Sequence, residues 1–212
     1  MNSGSTAIVA LLTGNTHTDM RLHVANTGDC RGVLCKKGRP VRLSEDHKPN
    51  RSDERLRILG VGGAVVRVMG VWRVTSGPSA GLTSRRTLLS VSRSFGDMVL
   101  KEPTEVVSSQ PDIKCVTVDQ DDLFFVLACD GIWDVLSDEA VVEVALPLLH
   151  DPAAAATAVV RAAFQRGSED NLTATVVVFP WAVAGKAAAE ATRAADAAAA
   201  KAASEEEMDM FA

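Results

Sequence analysis

The stretches that decide the fold are ACDGIWD, residues 128–134, and GSEDN, residues 167–171. An unbroken apolar run, residues 123–129, leads into the first stretch, and a second run, residues 172–179, follows the other. Both runs have the length and the β-branched or aromatic content of buried strands. One aspartate therefore lies at the end of a predicted strand, and another lies just before the next.

Carboxylates gathered at strand ends suggest a site for a hard metal ion, because such ions prefer oxygen ligands. Asp, Asn and Gly at strand junctions also cap helices and form turns. From spacing alone, capping and turn formation are the favoured interpretation of Asp130 and Asp170, and the metal site is the alternative.

Further motifs stand in a fixed order before the acidic stretches. They are SGSTA (3–7), VANTGDCR (24–31), EDHKP (45–49), GG (62–63), GVWRV (70–74) and SVSRSFGD (90–97). In this order, and together with the acidic stretches, they resemble the motifs of the PPM-type, metal-dependent protein serine/threonine phosphatases, the type 2C family. Each motif alone is weak, but the full set in register over residues 3–179 is specific to that family.

The resemblance implies an α+β fold, a two-sheet antiparallel β-sandwich flanked by helices, with a two-metal centre at one end. Family members carry an Asp-Gly-His-Gly segment upstream of the first motif. Its Asp bridges both metal ions and its His is a general acid, and an Arg further upstream holds the phosphate. The present sequence contains none of these groups. The resemblance therefore assigns no catalytic residue here and predicts an N-terminally truncated domain.

By motif match, Asp130 and Asp170 are expected to be ligands of one metal ion, either Mg²⁺ or Mn²⁺. Asp29 and Asp134 correspond to family residues near a weaker, third metal position, and a role in stabilising turns is equally open for both. The implied reaction is hydrolysis of phosphoserine and phosphothreonine in phosphoprotein substrates by a metal-activated water. The alternative is a catalytically silent, phosphatase-like binding or regulatory module, because the Asp-Gly-His-Gly segment is absent.

Helix signals are clearest between the two acidic stretches. Ser137 is a predicted N-cap for a helix that runs to residue 149, and Pro152 begins a second helix that stops at Gly167. Two adjacent helices would return the chain to the same sheet and bring Asp130 and Asp170 together. A further helix is predicted over residues 50–59, with three arginines on a solvated face: Arg51, Arg55 and Arg57.

Two segments depart from the phosphatase pattern. Residues 75–87 are rich in Gly, Ser and Thr, which predicts a flexible surface loop. Residues 182–212 are dominated by alanine and end in an acidic run, with no apolar stripe to dock. This composition predicts a disordered or marginally helical tail. Residues 1–181 are accordingly assigned to the partial phosphatase domain.

Composition excludes several classes of partner. Lys and Arg number 22 against 27 Asp and Glu, and the net charge of −5 argues against nucleic acid. No apolar run has membrane-spanning length, so no membrane association is expected. The four cysteines form no Cys-x-x-Cys pair, which indicates reduced thiols and a cytoplasmic or nuclear protein. The sequence predicts no oligomeric state.

Overall fold

The structure, a computed structural model, describes residues 3–14, 19–77 and 87–210, with side chains up to residue 203. Most of the predicted loop at 75–87 lies outside the described residues. The chain divides into two compact units. Unit 1 consists of Met1–Thr13, Arg21–Arg31 and Leu43–Val116, and unit 2 consists of Gly14–Met20, Gly32–Arg42 and Thr117–Ala212.

Unit 1 is built on a three-stranded sheet. Strands β2 (Ala7–Thr13) and β3 (Arg21–Thr27) pair antiparallel, and β9 (Asp112–Thr117) lies on the other side of β3. Helix α1 (Ser52–Gly60) confirms the helix predicted near residue 50. Two small antiparallel pairs complete the strands of this unit: β1 (Gly4–Ser5) with β8 (Phe95–Gly96), and β6 (Ala64–Val68) with β7 (Val71–Thr75).

Unit 2 contains a four-stranded sheet, whose strands in spatial order are β11 (Ala174–Val178), β10 (Asp122–Ala128), β4 (Arg31–Lys36) and β5 (Arg39–Arg42). Strands β4 and β5 pair antiparallel, as do β10 and β11. Lys37 and Gly38, with φ of 53° and 81°, form the turn between β4 and β5. Positive φ at both positions is what a two-residue hairpin of type I′ requires. The apolar runs around the acidic stretches are thus strands, as predicted.

The helices between β10 and β11 follow the capping signals in the sequence. They are α2 (Asp130–Trp133), α3 (Asp138–Ala145) and α4 (Pro152–Gln165). The Ser137 side chain accepts a hydrogen bond from the N–H of Ala140 at 3.2 Å, and Asp151 accepts one from the N–H of Ala154 at 3.0 Å. Helices α3 and α4 pack on each other, and α4 also packs on β11. The predicted helix pair is therefore confirmed, and the fold is α+β with antiparallel strand pairs.

The core of unit 2 lies between this sheet and its helices. Its central strand β10 is almost entirely buried, because both of its faces are covered. Buried apolar side chains from the sheet and both helices form one cluster, which includes Phe124, Val126, Ile132, Val141, Val142, Ala155, Val159 and Ala163. The end of β10 is thereby held rigidly at Ala128, two residues before Asp130.

Helix α5 (Ala182–Met210) occupies the segment predicted to be a marginal tail. The expectation that this segment has no face to dock is wrong for its first half, because Ala182 and Ala189 are buried in the core of unit 2. Small side chains let the helix approach the sheet closely, and Arg193 donates a hydrogen bond to the carbonyl of Gly38 at 3.1 Å. Among the described residues no helix, α5 included, is long and apolar enough to cross a membrane.

Replacing Ala189 by lysine is expected to lower the free energy of unfolding by about 2 kcal/mol or more, because a charged side chain would enter a position that is 2% exposed. The matched control is Ala187→Lys, at an exposed position of the same helix, with an expected change below about 0.5 kcal/mol. Urea unfolding of the two variants and of the parent chain measures both changes in the free energy of unfolding. Equal stabilities would mean that α5 does not dock.

Candidate metal centre

Asp130 begins α2 immediately after the buried strand β10. Its carboxylate Oδ1 accepts a hydrogen bond from the N–H of Gly131 at 3.0 Å. Trp133 lies in the core below this turn, and its indole N–H donates to the carbonyl of Ala128 at 3.0 Å. A packed aromatic ring and a strand end therefore fix the position of the Asp130 backbone.

Asp170 lies in the loop between α4 and β11, directly beside the turn that carries Asp130. The hydroxyl of Ser168 donates to the carbonyl of Gly131 at 2.7 Å. The thiol of Cys129 donates to the carbonyl of Asn171 at 3.1 Å. The carboxylate Oδ1 of Asp170 itself accepts from the N–H of Asn171 at 2.6 Å. Direct hydrogen bonds thus join the two acidic stretches.

Gly131 permits this close approach. A Cβ at this position would lie 2.5 Å from the carbonyl oxygen of Asn171 and 3.2 Å from the Cβ of Asp170. The first distance is far below van der Waals contact, and the group it meets is backbone. Only glycine therefore allows the Asp170 loop to lie against the Asp130 turn.

Gly131→Ala is expected to lower the free energy of unfolding by about 1–3 kcal/mol, because the loop of Asp170 must move to admit the methyl group. Gly60→Ala is the matched control, since a Cβ at Gly60 meets no atom within 4 Å and the residue lies in a helix. Gly60→Ala is expected to leave the free energy of unfolding unchanged or to raise it. Thermal and urea unfolding measure both variants, and a neutral Gly131→Ala would contradict the close packing of the two stretches.

The acidic stretches border a cleft of about 520 Å³ in unit 2. Asp134 and Asp170 both line this cleft, so the structure brings the aspartates of the two stretches into one region. Glu169 lines the cleft as well, although it is not a predicted ligand. A larger cavity of about 720 Å³ in unit 1 contains none of the predicted ligands.

Asp29 belongs to unit 1, where it is buried and paired with a lysine. Its carboxylate Oδ2 accepts from the ammonium of Lys48 at 2.6 Å. Two hydrogen bonds join the preceding Gly28 to His47. The backbone N–H of Gly28 donates to His47 Nδ1 at 3.1 Å, and the backbone N–H of His47 donates to the carbonyl of Gly28 at 2.9 Å. In this structure Asp29 is therefore the acceptor of an ion pair.

His47 is itself part of a charged network in unit 1. Its Nε2 lies 3.0 Å from the carboxylate of Asp112, which also pairs with Arg93 at 2.8 Å. Burial, reinforced by the nearby Arg93 guanidinium, lowers the pKa of His47, so the ring is neutral near pH 7 and donates to Asp112. This fully buried imidazole positions the loop of Gly28.

The same network contains two of the arginines predicted to form a solvated face. Arg57 donates to the buried Glu54 at 2.9 Å, and Arg51 pairs with Asp53 at 2.7 Å and with Asp112 at 3.3 Å. The prediction is wrong for Arg57 and Arg51. Helical spacing places a carboxylate, Glu54, on the buried side of α1, and Arg57 turns toward it to neutralise its charge. Arg51 turns instead toward the carboxylates of Asp53 and Asp112.

The donor atoms of the predicted site suit a hard divalent cation in type but not in number. Carboxylate oxygens are the ligands that Mg²⁺ and Mn²⁺ prefer. In the described part of the chain, however, no group of three or more His, Cys, Asp or Glu side chains is arranged to hold a metal ion. Asp130 and Asp170 would supply only part of a coordination shell of about six oxygens. The role of Asp130 and Asp170 as metal ligands stays a prediction. The same holds for Asp29 and Asp134.

Comparison with known proteins agrees with the fold and the motifs. The family model of protein phosphatase 2C matches residues 1–172. The chain is 43% identical over 178 residues to "Probable protein phosphatase 2C 52" of Oryza sativa subsp. japonica, covering 84% of this chain and 32% of the relative. It is 42% identical over 178 residues to "Probable protein phosphatase 2C 59" of Arabidopsis thaliana, covering 84% and 50%.

Among solved structures, the serine-threonine phosphatase 2C of Toxoplasma gondii matches with a TM-score of 0.71 and 28% identity, over 83% of this chain and 58% of that one. Sequence motifs, family model and backbone agree, and the chain belongs to the protein phosphatase 2C family. It spans about a third to a half of the length of the two plant relatives.

Proposed function

We propose that this chain forms part of a phosphatase that hydrolyses phosphoserine and phosphothreonine in proteins with the help of Mg²⁺ or Mn²⁺. The observation that carries the proposal is the direct hydrogen bonding between the two acidic stretches, Ser168 to Gly131 and Cys129 to Asn171, in a chain of this family. This contact holds the predicted ligands Asp130 and Asp170 on neighbouring turns, beside a cleft that Gly131 and Asp170 line.

The residues of the chain would hold the cations and orient the ligand side chains around them. Asp130 and Asp170 would bind one divalent cation, and Asp134 would serve a weaker position. When bound, the cations supply charge for the phosphate oxygens and lower the pKa of a water that attacks phosphorus. Asp130 and Asp170 each accept a hydrogen bond from a neighbouring N–H with one carboxylate oxygen, which limits rotation of the side chain about its bonds.

A second candidate function is a phosphatase-like module that binds phosphoproteins or a catalytic partner without turning over substrate. It is favoured by the count of ligands, since the described residues bring fewer than three metal-ligating side chains together. The two functions make different demands on Asp130. Hydrolysis requires its charge, whereas binding to a partner tolerates an amide of the same size.

The test is substrate hydrolysis by a chimera in which the N-terminal segment of the rice relative precedes this chain. We expect Mn²⁺-dependent release of phosphate from phosphoserine and phosphothreonine peptides, with phosphotyrosine peptides hydrolysed far more slowly. Asp130→Asn should abolish the release. Binding of the phosphopeptides without release, unchanged by Asp130→Asn, would support the silent module instead.

A further inference from the structure

Asp29, in the turn that follows β3, carries a buried carboxylate. Its side chain is 4% exposed, and its Oδ2 accepts a hydrogen bond from the ammonium of Lys48 at 2.6 Å. Burial of a carboxylate is unfavourable unless an opposite charge and hydrogen bonds compensate for it. Lys48 supplies that charge, and its own side chain is 35% exposed. The pair therefore joins a buried anion to a cation that keeps contact with water.

The segment that carries Lys48 is attached to this turn at two further points. Arg31 donates to the carboxylate of Asp46 at 2.9 and 2.7 Å, and both side chains of this ion pair are largely buried. His47, next in sequence, is joined to Gly28 by hydrogen bonds of 3.1 and 2.9 Å. Three consecutive residues of one segment thus each bind the other segment. The backbone therefore places the ammonium of Lys48 at little further cost in conformational entropy.

The surroundings of Asp29 do not suit a divalent metal ion. Mg²⁺ and Mn²⁺ take about six oxygen ligands, often including several waters, so a carboxylate that binds them needs open space beside it. Asp134 and Asp170 meet this condition, because both are exposed and line a cleft. The Asp29 side chain is buried, and a metal ion on the same oxygen would be repelled by the ammonium of Lys48. This burial comes from residues of the described chain itself, so it does not depend on any segment that precedes them.

We propose that Lys48 is the permanent cation partner of Asp29, and that this carboxylate fixes the turn after β3 instead of binding a metal ion. The motif match relates Asp29 to a weaker metal position, but in this fold Lys48 uses its charge. The inference concerns these two residues alone. It does not depend on the proposed function, which assigns a cation to Asp130 and Asp170.

Urea unfolding of the 212-residue chain tests the ion pair. Lys48→Met is expected to raise the equilibrium constant for unfolding at least about 30-fold, because it leaves a buried carboxylate without its cation. Asp29→Asn should raise it only about tenfold, since the amide oxygen still accepts a hydrogen bond and the Lys48 ammonium turns to water. In the Asp29→Asn background, Lys48→Met should add less than about threefold, because the two residues act as one pair.

Lys37→Met is the matched control, because it removes a lysine from an exposed ion pair. Lys37 lies 2.9 Å from Asp121, and the two side chains are 64% and 42% exposed. The equilibrium constant for unfolding should therefore change less than about fivefold. Circular dichroism verifies that each variant is folded. An effect of Lys48→Met as small as that of Lys37→Met would overturn the proposal.

Mn²⁺ binding to the chain and to the chimera, measured by electron paramagnetic resonance, separates the ion pair from metal ligation. Asp29→Asn is expected to leave the number of bound Mn²⁺ ions and their affinity unchanged. Loss of a bound ion, or an affinity lowered at least about tenfold while Lys48 is present, would overturn the proposal. Failure of the proposed function is recognised separately. Asp130→Asn and Asp170→Asn would then leave Mn²⁺ binding unchanged, whereas Lys48→Met would still promote unfolding.

Discussion

The 212-residue chain is expected to show little or no Mn²⁺-dependent hydrolysis of p-nitrophenyl phosphate, whereas the chimera with the upstream segment of the rice relative is active. The physical reason is the number of ligands. Asp130 and Asp170 would hold one cation, and hydrolysis that uses two cations would need ligands for the second cation as well. Loss of a residue that merely supports a metal ligand costs about 10–100-fold. Loss of a bridging ligand should therefore cost more than about 100-fold.

The measurement is the initial rate as a function of Mn²⁺ concentration for the chain, the chimera and the chimera with Asp130→Asn. Glu169→Gln in the chimera is the matched control, because Glu169 lines the same cleft but is not a predicted ligand. Robust turnover by the chain alone, abolished by Asp130→Asn, would contradict the expectation that the chain needs the upstream segment for hydrolysis. Another carboxylate of this chain would then have to replace the bridging ligand.

Glu54→Gln is expected to lower the free energy of unfolding by about 3 kcal/mol at pH 7, the largest effect on stability among the substitutions considered. Glu54 is 2% exposed and accepts from Arg57 at 2.9 Å and from Arg93 at 2.8 Å. Removing one partner of a buried ion pair leaves the other charges uncompensated, which costs about 3–5 kcal/mol. Asp53→Asn is the matched control on the same helix, with an expected loss below about 1 kcal/mol because Asp53 is exposed.

The difference between the parent chain and Glu54→Gln should depend on pH. Burial alone would raise the pKa of Glu54, but hydrogen bonds from Arg93 and Arg57 outweigh it and lower the pKa from its ordinary value of 4.5 to about 2. A carboxyl with a depressed pKa stabilises the folded state above its unfolded pKa, and this stabilisation is lost as pH falls toward the folded value. The difference should therefore be constant above about pH 5 and shrink between pH 4.5 and 2. A difference that is constant down to pH 2 would contradict the ion-paired state of Glu54.

The parts of the fold that local signals determine were predictable from the sequence. Ser137 and Pro152 predicted the starts of the two helices between the acidic stretches, and the structure has both helices. These features depend on a few neighbouring residues, so a single sequence contains them. The approach of Asp170 to Asp130 followed from the helix pair, because two antiparallel helices return the chain to the strand beside the one it left.

The features that depend on distant partners were not predictable. Arg57 was assigned to solvent, because nothing near it in sequence shows that Glu54 is buried or that Arg93 approaches from another loop. Docking of α5 was missed for a related reason. Alanine contributes little to an apolar stripe, yet α5 lies against the turn at Gly38, where a Cβ would come within 2.5 Å of the carbonyl oxygen of the buried Ala189. Close approach of backbones leaves no hydrophobic pattern to detect.

Binding of Mn²⁺ to the chimera, measured by isothermal titration calorimetry and electron paramagnetic resonance, shows most directly whether Asp130 and Asp170 are metal ligands. We expect Asp170→Asn and Asp130→Asn each to weaken Mn²⁺ binding at least about tenfold, because a neutral amide replaces a charged ligand of one cation. Glu169→Gln should leave the affinity unchanged. Unaltered Mn²⁺ affinity in both aspartate variants would show that these residues only cap and turn the chain.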